Sequence, residues 1–216
     1  MVIECYKNQD FRRLVNDADV VAPDGKPLSV FLQVFNGQKQ EKVSGPDVFI
    51  DVLKHAGVTG KKVFFFGSTN HVLEKVVRRV QHEFPELKIA GTYSPPFRDL
   101  LPEEKKQIID TINLAVPHFV FVALGCPKQE KWMAENQGKI NACMLGVGQA
   151  FQIYAHDLKR SPKWLQDIGL EWAYRLCLEP GRLWKRYLHT NSLFLYLTIK
   201  YCIRNIFKAN TLEKIN

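Results

Sequence analysis

The chain has 216 residues, a formal net charge of +8, 46% hydrophobic and 24% charged residues, which excludes a disordered, collagen-like or low-complexity chain. Its length suits one large domain, or a domain with an appendage. Cys5, Cys126, Cys143, Cys177 and Cys202 form no CxxC pair, so a disulfide framework or structural zinc site is not expected and a reducing compartment fits.

In chain order, Phe11–Asn16 reads as a helix and Asp19–Ala22 as a short apolar strand ending in Pro23-Asp24-Gly25. Pro27–Phe35 reads as a helix. Ser44-Gly45-Pro46-Asp47 opens another through His55, with a capping residue and a proline in the first turn. Lys62–Phe66 is a buried-type strand stopped by Gly67-Ser68-Thr69-Asn70. The apolar positions 72, 73, 76, 77 and 80 then have helical spacing. Leu87–Tyr93 is a strand broken by Pro95-Pro96, and Pro102–Leu114 is a helix. His118–Leu124 is a strand closed by Gly125-Cys126-Pro127, Lys128–Asn136 a helix, and Asn141–Val147 a strand ending at Gly148.

Continuous apolar strands alternating with helices predict an α/β, Rossmann-like fold: a mainly parallel sheet with helices on both faces. Ligands in such folds bind at the carboxyl ends of the strands. The residues gathered there are Asp24 and Gly25, Gly67 and Ser68, Tyr93 to Arg98, Gly125 to Gln129, and Gly146 to Gln149, a plausible nucleotide pocket. Single turns carry little weight. Gly67-Ser68-Thr69-Asn70 could cradle a phosphate but lacks a full GxGxxG or Walker pattern, and Asp24-Gly25 could be a plain turn. Asp17-Ala18-Asp19 looks like a DxD metal motif, but it precedes its strand and so falls on the wrong edge. The histidines have no zinc spacing, and no metal is expected. Cys126 reads as a buried thiol rather than a nucleophile.

The charge is uneven. From residue 158 onward eleven Lys/Arg oppose four Asp/Glu, so +7 of the charge lies there and +1 in the first 157 residues. The division expected is a core over 1–157 and a helical membrane-association appendage over 158–216. Trp164, Trp172, Tyr174, Trp184, Tyr187, Phe194, Tyr196, Tyr201 and Phe207 are interleaved with those cations, as suits an anionic membrane surface. An ordinary solvated helix face is the plainer alternative; nucleic acid is not expected, because no recognition motif accompanies the charge. Lys200, Arg204 and Lys208 share one helical face, flanked by Leu193, Leu197 and Tyr201 on another. No apolar run reaches the ~18–20 residues that span a bilayer, and the N-terminus has no signal-peptide pattern.

Gly125-Cys126-Pro127-Lys128-Gln129-Glu130-Lys131-Trp132 is more specific. It resembles the G-x-P-x-Q-E-x-W element of the WecG/TagA/CpsF family of bacterial glycosyltransferases. Ala18–Gly25, Val43–Asp47, Gly146-Val147-Gly148, Arg160–Trp164, Gly169–Trp172, Tyr174–Leu176, Glu179-Pro180 and Arg182–Tyr187 extend the likeness in order over roughly residues 10 to 190. The resemblance implies transfer of a sugar, N-acetylmannosamine or its uronate as first guess, from a UDP-sugar to a polyprenyl-diphosphate-linked sugar. This would occur on the cytoplasmic membrane face in cell-surface polymer or teichoic acid synthesis, by an inverting, metal-independent route. A homo-oligomer is left open.

The reaction needs a base for the acceptor hydroxyl and positive groups for the departing UDP. Asp24 matches the family position for the base. Arg175, Arg182 and Arg186 are candidates for the diphosphate of UDP or of the acceptor. Gln129 would hydrogen-bond a sugar or phosphate, or else cap its helix. Gly25, Gly67, Ser68, Arg98, Gly125, Pro127, Glu130 and Gly148 complete the expected substrate site. The family carries a further strand with a Thr-x-Asn element ahead of the position of Met1, so an N-terminally truncated chain lacking a donor-contacting Asn is expected. Lys26-Pro27, Gln152 and His156 depart from the common x-Gly, Asp and Gly. The alternative from another class is a catalytically impaired homologue acting as a membrane-associated binding partner.

Overall fold

The computed structural model describes residues 1–37 and 39–213, with side chains described except at 36 and 205–213. Four strands form one parallel sheet: β1 (Lys62–Gly67), β2 (Lys88–Tyr93), β3 (Phe119–Ala123) and β4 (Cys143–Gly146), in the order β2-β1-β3-β4. The expected α/β class holds. The central strands β1 and β3 are almost wholly buried because helices cover both faces. On one face Phe65 and Phe121 pack against Phe49 and Leu53 of α4 (Gly45–Thr59), Val76 and Val80 of α5 (Asn70–Glu83), and Phe151 of α8 (Ala150–Tyr154). On the other, Phe64, Phe66, Val120 and Val122 meet Ile108 and Ile112 of α6 (Pro102–Ala115), with Trp132 and Met133 of α7 (Lys128–Asn136) packed around them. Alternation along β1 therefore feeds two cores, which is why the run Val63–Phe66 has no polar residue.

The strand order creates a topological switch between β1 and β3. The chain leaves β1 for β2 on one side and returns to β3 on the other, so the helices that follow β1 and β3 start apart and leave a crevice at the carboxyl edge.

The helices depart little from the expected ones, except at their ends. α1 (Val2–Lys7) and α2 (Gln9–Asn16) precede α3 (Lys26–Asn36), and the Asn8 side chain caps α2 by accepting from the Phe11 N–H at 2.9 Å. α4 continues four residues past His55 to Thr59.

One expected element is absent. Asp19–Ala22 forms no strand; the segment is extended but its only backbone link to a neighbour among the described residues is Val43 N–H to Pro23 O at 3.1 Å. Val20 is 83% exposed, so its apolar side chain covers nothing. Extended conformation without a ladder partner does not make a strand.

Beyond residue 157 the chain forms α9 (Lys163–Asp167), α10 (Glu171–Leu178) and the 34-residue α11 (Pro180–Glu213). These helices dock on the body, with Leu183 buried and Glu171 bound to Lys42, while Trp172 of α10 and Tyr187 of α11 meet edge to face at 6.2 Å. Leu193 and Leu197 are half-buried, while Leu195, Tyr196, Ile199 and Ile203 are exposed beside Lys200 and Arg204. Tyr201 packs on Phe31 and Phe35 at 5.4 and 5.2 Å. The Lys208 side chain lies outside the described ones. No helix among the described residues is long and apolar enough to cross a membrane.

Candidate active site

The crevice is built by close backbone approaches. Gly67, with φ of 111°, ends β1 against β3; a Cβ there would stand 2.7 Å from the Ala123 carbonyl oxygen, so only glycine brings the two strand ends together. Ser68 follows with φ of 62°, its carbonyl accepting from the Ser94 hydroxyl at 2.7 Å and its hydroxyl accepting from Gln152 Nε2 at 3.2 Å. Gly45, at the start of α4, lies against the turn after β4: a Cβ there would be 2.5 Å from Val147 O. That contact ties the segment around Asp24, through Ser44, to the same carboxyl edge.

Gln129 is buried and spans two of the turns. Its Oε1 accepts from the Gly148 N–H at 3.0 Å, and its Nε2 donates to Glu130 Oε1 at 3.0 Å. It therefore braces the end of β3 against the end of β4. Glu130 Oε2 and Gln152 Oε1 are buried and accept no hydrogen bond from the described residues. Unsatisfied buried acceptors suit a ligand that presents O–H or N–H groups, and Gln152, bonded to Ser68, is the one placed at the end of β1.

Asp24 stands among charges that the spacing of the sequence does not announce. Solvent reaches it, yet lost hydration is the largest influence on its carboxyl and pushes its pKa above the usual range. Glu171 adds to this, while Lys42 and Arg175 pull it down. Lys42 Nζ donates to Glu171 Oε2 at 2.6 Å, bringing α10 to the acid. Arg175 has a buried Nε without a partner among the described residues, so its charge is only partly used.

Asp47 has the opposite environment. Burial works against its carboxylate, but the Ser44 hydroxyl, donating at 2.5 Å, and Arg160 at 2.7 Å outweigh it and hold its pKa low. The surroundings of the two acids thus act in opposite directions: the Asp47 pKa is held low and the Asp24 pKa is raised.

The other expected residues divide. Gly125 and Pro127 lie in the turn before α7, which the Gln129 N–H closes on Gly125 O at 2.9 Å, and Gly25 caps α3 directly after Asp24. Arg98 is bound to both Glu104 oxygens at 2.7 and 2.6 Å, which fixes the entry to α6. Arg182 is joined to Glu179, with Nε to Oε1 at 3.0 Å, and Arg186 is exposed on α11. Of the three tail arginines, Arg175 is the one among the largest influences on Asp24. Burial raises the Cys126 thiol pKa, the reverse of an activated nucleophile.

Asp19 falls near Cys143, the first residue of β4, whose thiol it pushes up after burial does. The Asp17-Ala18-Asp19 triplet is therefore at the amino edge, and no group of His, Cys, Asp or Glu able to hold a metal forms among the described residues. A recess of about 380 Å³ lined by Phe49, Arg79, Tyr154, His156 and Arg160 contains none of the crevice glycines or Asp24. His156 there adopts φ of 60°, a conformation glycine would accept without strain.

Sequence reasoning missed Lys42, Asp47, Arg160 and Glu171 as members of the charge cluster. Asp47, Arg160 and Glu171 stand in the family-like stretches, but only the fold pairs Arg160 with Asp47 and Glu171 with Lys42.

The chain is similar to known proteins along most of its length. The Bacillus subtilis (strain 168) protein named N-acetylglucosaminyldiphosphoundecaprenol N-acetyl-beta-D-mannosaminyltransferase is 33% identical over 183 residues, covering 84% of this chain and 69% of the relative. Proteins of the same name from Bacillus spizizenii (31% identical; 86% and 70% covered) and Staphylococcus aureus strain NCTC 8325 (28%; 89% and 74%) are also similar. The sequence model described as Glycosyl transferase WecG/TagA/CpsF family matches residues 1–208, and the chain belongs to that family.

Proposed function

We propose that the protein transfers a sugar from a UDP-sugar to a polyprenyl-diphosphate-linked sugar at the cytoplasmic face of the membrane, with Asp24 as general base. The observation that carries this is the setting of Asp24, with the Lys42–Glu171 ion pair and Arg175 around a carboxyl whose pKa is raised by lost hydration and by Glu171. A base works best when its pKa approaches the working pH, so the shift favours proton uptake from an acceptor hydroxyl. As that hydroxyl oxygen attacks the anomeric carbon, its proton passes to Asp24 and the bond to UDP breaks on the opposite side, which inverts the configuration.

The crevice between β1 and β3 takes the donor. The turn Gly67-Ser68 and the unsatisfied Oε1 of Gln152, whose Nε2 donates to Ser68, give it a polar lining. Arg175 supplies positive charge to a diphosphate without a metal, a role supported by its partnerless Nε. The exposed Tyr196, Lys200, Ile199 and Arg204 of α11 suit the interface of an anionic bilayer. The relatives are named for an undecaprenol-diphosphate-linked acceptor, which supports the same acceptor class here.

The test is release of UDP from UDP-N-acetylmannosamine and other UDP-sugars, with a lipid-diphosphate-linked N-acetylglucosamine acceptor and with EDTA present. Acceptor-dependent UDP release is expected. Its absence with every donor, while the protein still binds anionic vesicles, would favour a non-catalytic binding role.

A further inference from the structure

An apolar groove lies between α11 and α3, the helix that follows Asp24-Gly25. Its walls are Val30 and Val34 of α3, Ile168 after α9, and Leu195 and Thr198 of α11, and Lys26 and Pro27 form its head. Its volume is about 340 Å³. The groove is built rather than left over: Phe31, Phe35 and Tyr201 clamp α3 to α11 with ring centroids 4.6 to 5.4 Å apart. The aliphatic rim remains open, with Val34 66%, Ile168 59% and Leu195 60% exposed.

The chemistry of the walls restricts the occupant. Thr198 is the one hydroxyl on them, and it is spent on the Phe194 carbonyl at 2.9 Å. A sugar or nucleotide would find no polar partner along the walls. The head is different: Lys26 follows Asp24-Gly25 directly, and Lys42 and Arg175 bear on Asp24. An occupant must therefore be anionic at the head and apolar for the length of α3, about 16 Å at 1.5 Å per residue. A diphosphate joined to a long apolar alcohol, the acceptor class in the relatives' names, has that form.

We propose that this groove holds the proximal isoprenoid units of the lipid-linked acceptor, with the diphosphate at Lys26 and the sugar hydroxyl reaching Asp24. This rests on the function proposed above. It also assigns α3, a helix of the body, to lipid recognition together with the tail.

The experiment uses the full chain in detergent micelles, a benzophenone-bearing geranylgeranyl diphosphate as photoprobe, and the variants Val34→Asn and Leu195→Asn. Crosslinks on α3 or on α11 around Leu195 are expected, competed by unlabelled polyprenyl diphosphate. Each variant should lower the yield about tenfold with unchanged thermal unfolding, and Val34→Asn, which lies off the exposed face of α11, should leave vesicle binding unchanged. KM for a long-chain acceptor should rise by a similar factor, with no change for an octyl-diphosphate acceptor. Labelling elsewhere, or labelling indifferent to the variants, overturns the proposal. So does loss of vesicle binding without loss of labelling, which would make the groove a bilayer anchor, or a change of oligomeric state, which would make it a contact between copies. Wild-type turnover without groove labelling defeats the groove alone. Groove labelling without turnover on any acceptor defeats the catalytic reading alone.

Discussion

Lys42 Nζ lies 2.6 Å from Glu171 Oε2, and this pair joins the segment before α4 to the tail helix α10 at the edge of the Asp24 recess. The tail is thereby part of the candidate site, since both members of the pair act on the acid: Glu171 raises its pKa and Lys42 lowers it. A device that only attached the protein to a membrane would not need that contact.

The pH dependence follows from those signs. The base must be ionised, so kcat/KM should rise with pH through an acidic limb lying above the ordinary Asp value of 3.8. Glu171→Gln removes a charge that raises the pKa and should move the limb to lower pH. Arg175→Gln removes one that lowers it and should move the limb up. Profiles of kcat/KM against pH for the three proteins check both directions, and equal limbs would contradict the assignment of the limb to Asp24.

Arg160 and Asp47 give a stability prediction. Their side chains are 26% and 48% exposed, so solvent screens the pair, and Arg160→Gln should cost about 1 kcal/mol at neutral pH. The Asp47 pKa is depressed below 3.8 on folding. The contribution is therefore complete above that value and fades as pH falls through the lower, folded one. Urea unfolding of wild type and variant should differ at pH 7 and converge in strong acid.

Gly67→Ala tests the crevice itself. A Cβ at 2.7 Å from Ala123 O, on a backbone with φ of 111°, demands that β1 and β3 separate. A loss of about 2 kcal/mol or more is expected in urea unfolding, accompanied by a raised KM for the donor.

Gln129 offers a sharper distinction between structure and recognition. Gln129→Leu would leave the Gly148 N–H without its partner, at a cost of about 1–3 kcal/mol. If Gln129 is a brace, stability and donor affinity should fall together. A fall in affinity with unchanged thermal unfolding would make it a direct ligand instead.

Much of this was legible in the sequence. The run Val63–Phe66 announces a strand buried on both sides, and helical spacing places Val72, Leu73, Val76 and Val80 on one buried face of α5. The glycine turns after β1 and β3 were expected at the carboxyl edge and stand there. Asp19–Ala22 misled because a short apolar run shows extension but not whether a ladder partner exists; Val20, 83% exposed, has none to cover. The tail left its docking side open for another reason, since helical spacing gives the angle between Leu193 and Lys200 but not which face docks. The charge cluster was hidden for a third reason. Lys42 and Glu171 are 129 residues apart, and only folding brings them within 2.6 Å.

Replacing Asp24 by Asn is the most direct measurement, because it keeps the shape of the side chain and removes its capacity to take a proton. Acceptor-dependent UDP release should fall about 10²–10⁴-fold, with donor binding and thermal unfolding unchanged. Turnover within a few-fold of wild type would show that another group accepts the proton, and would contradict the account.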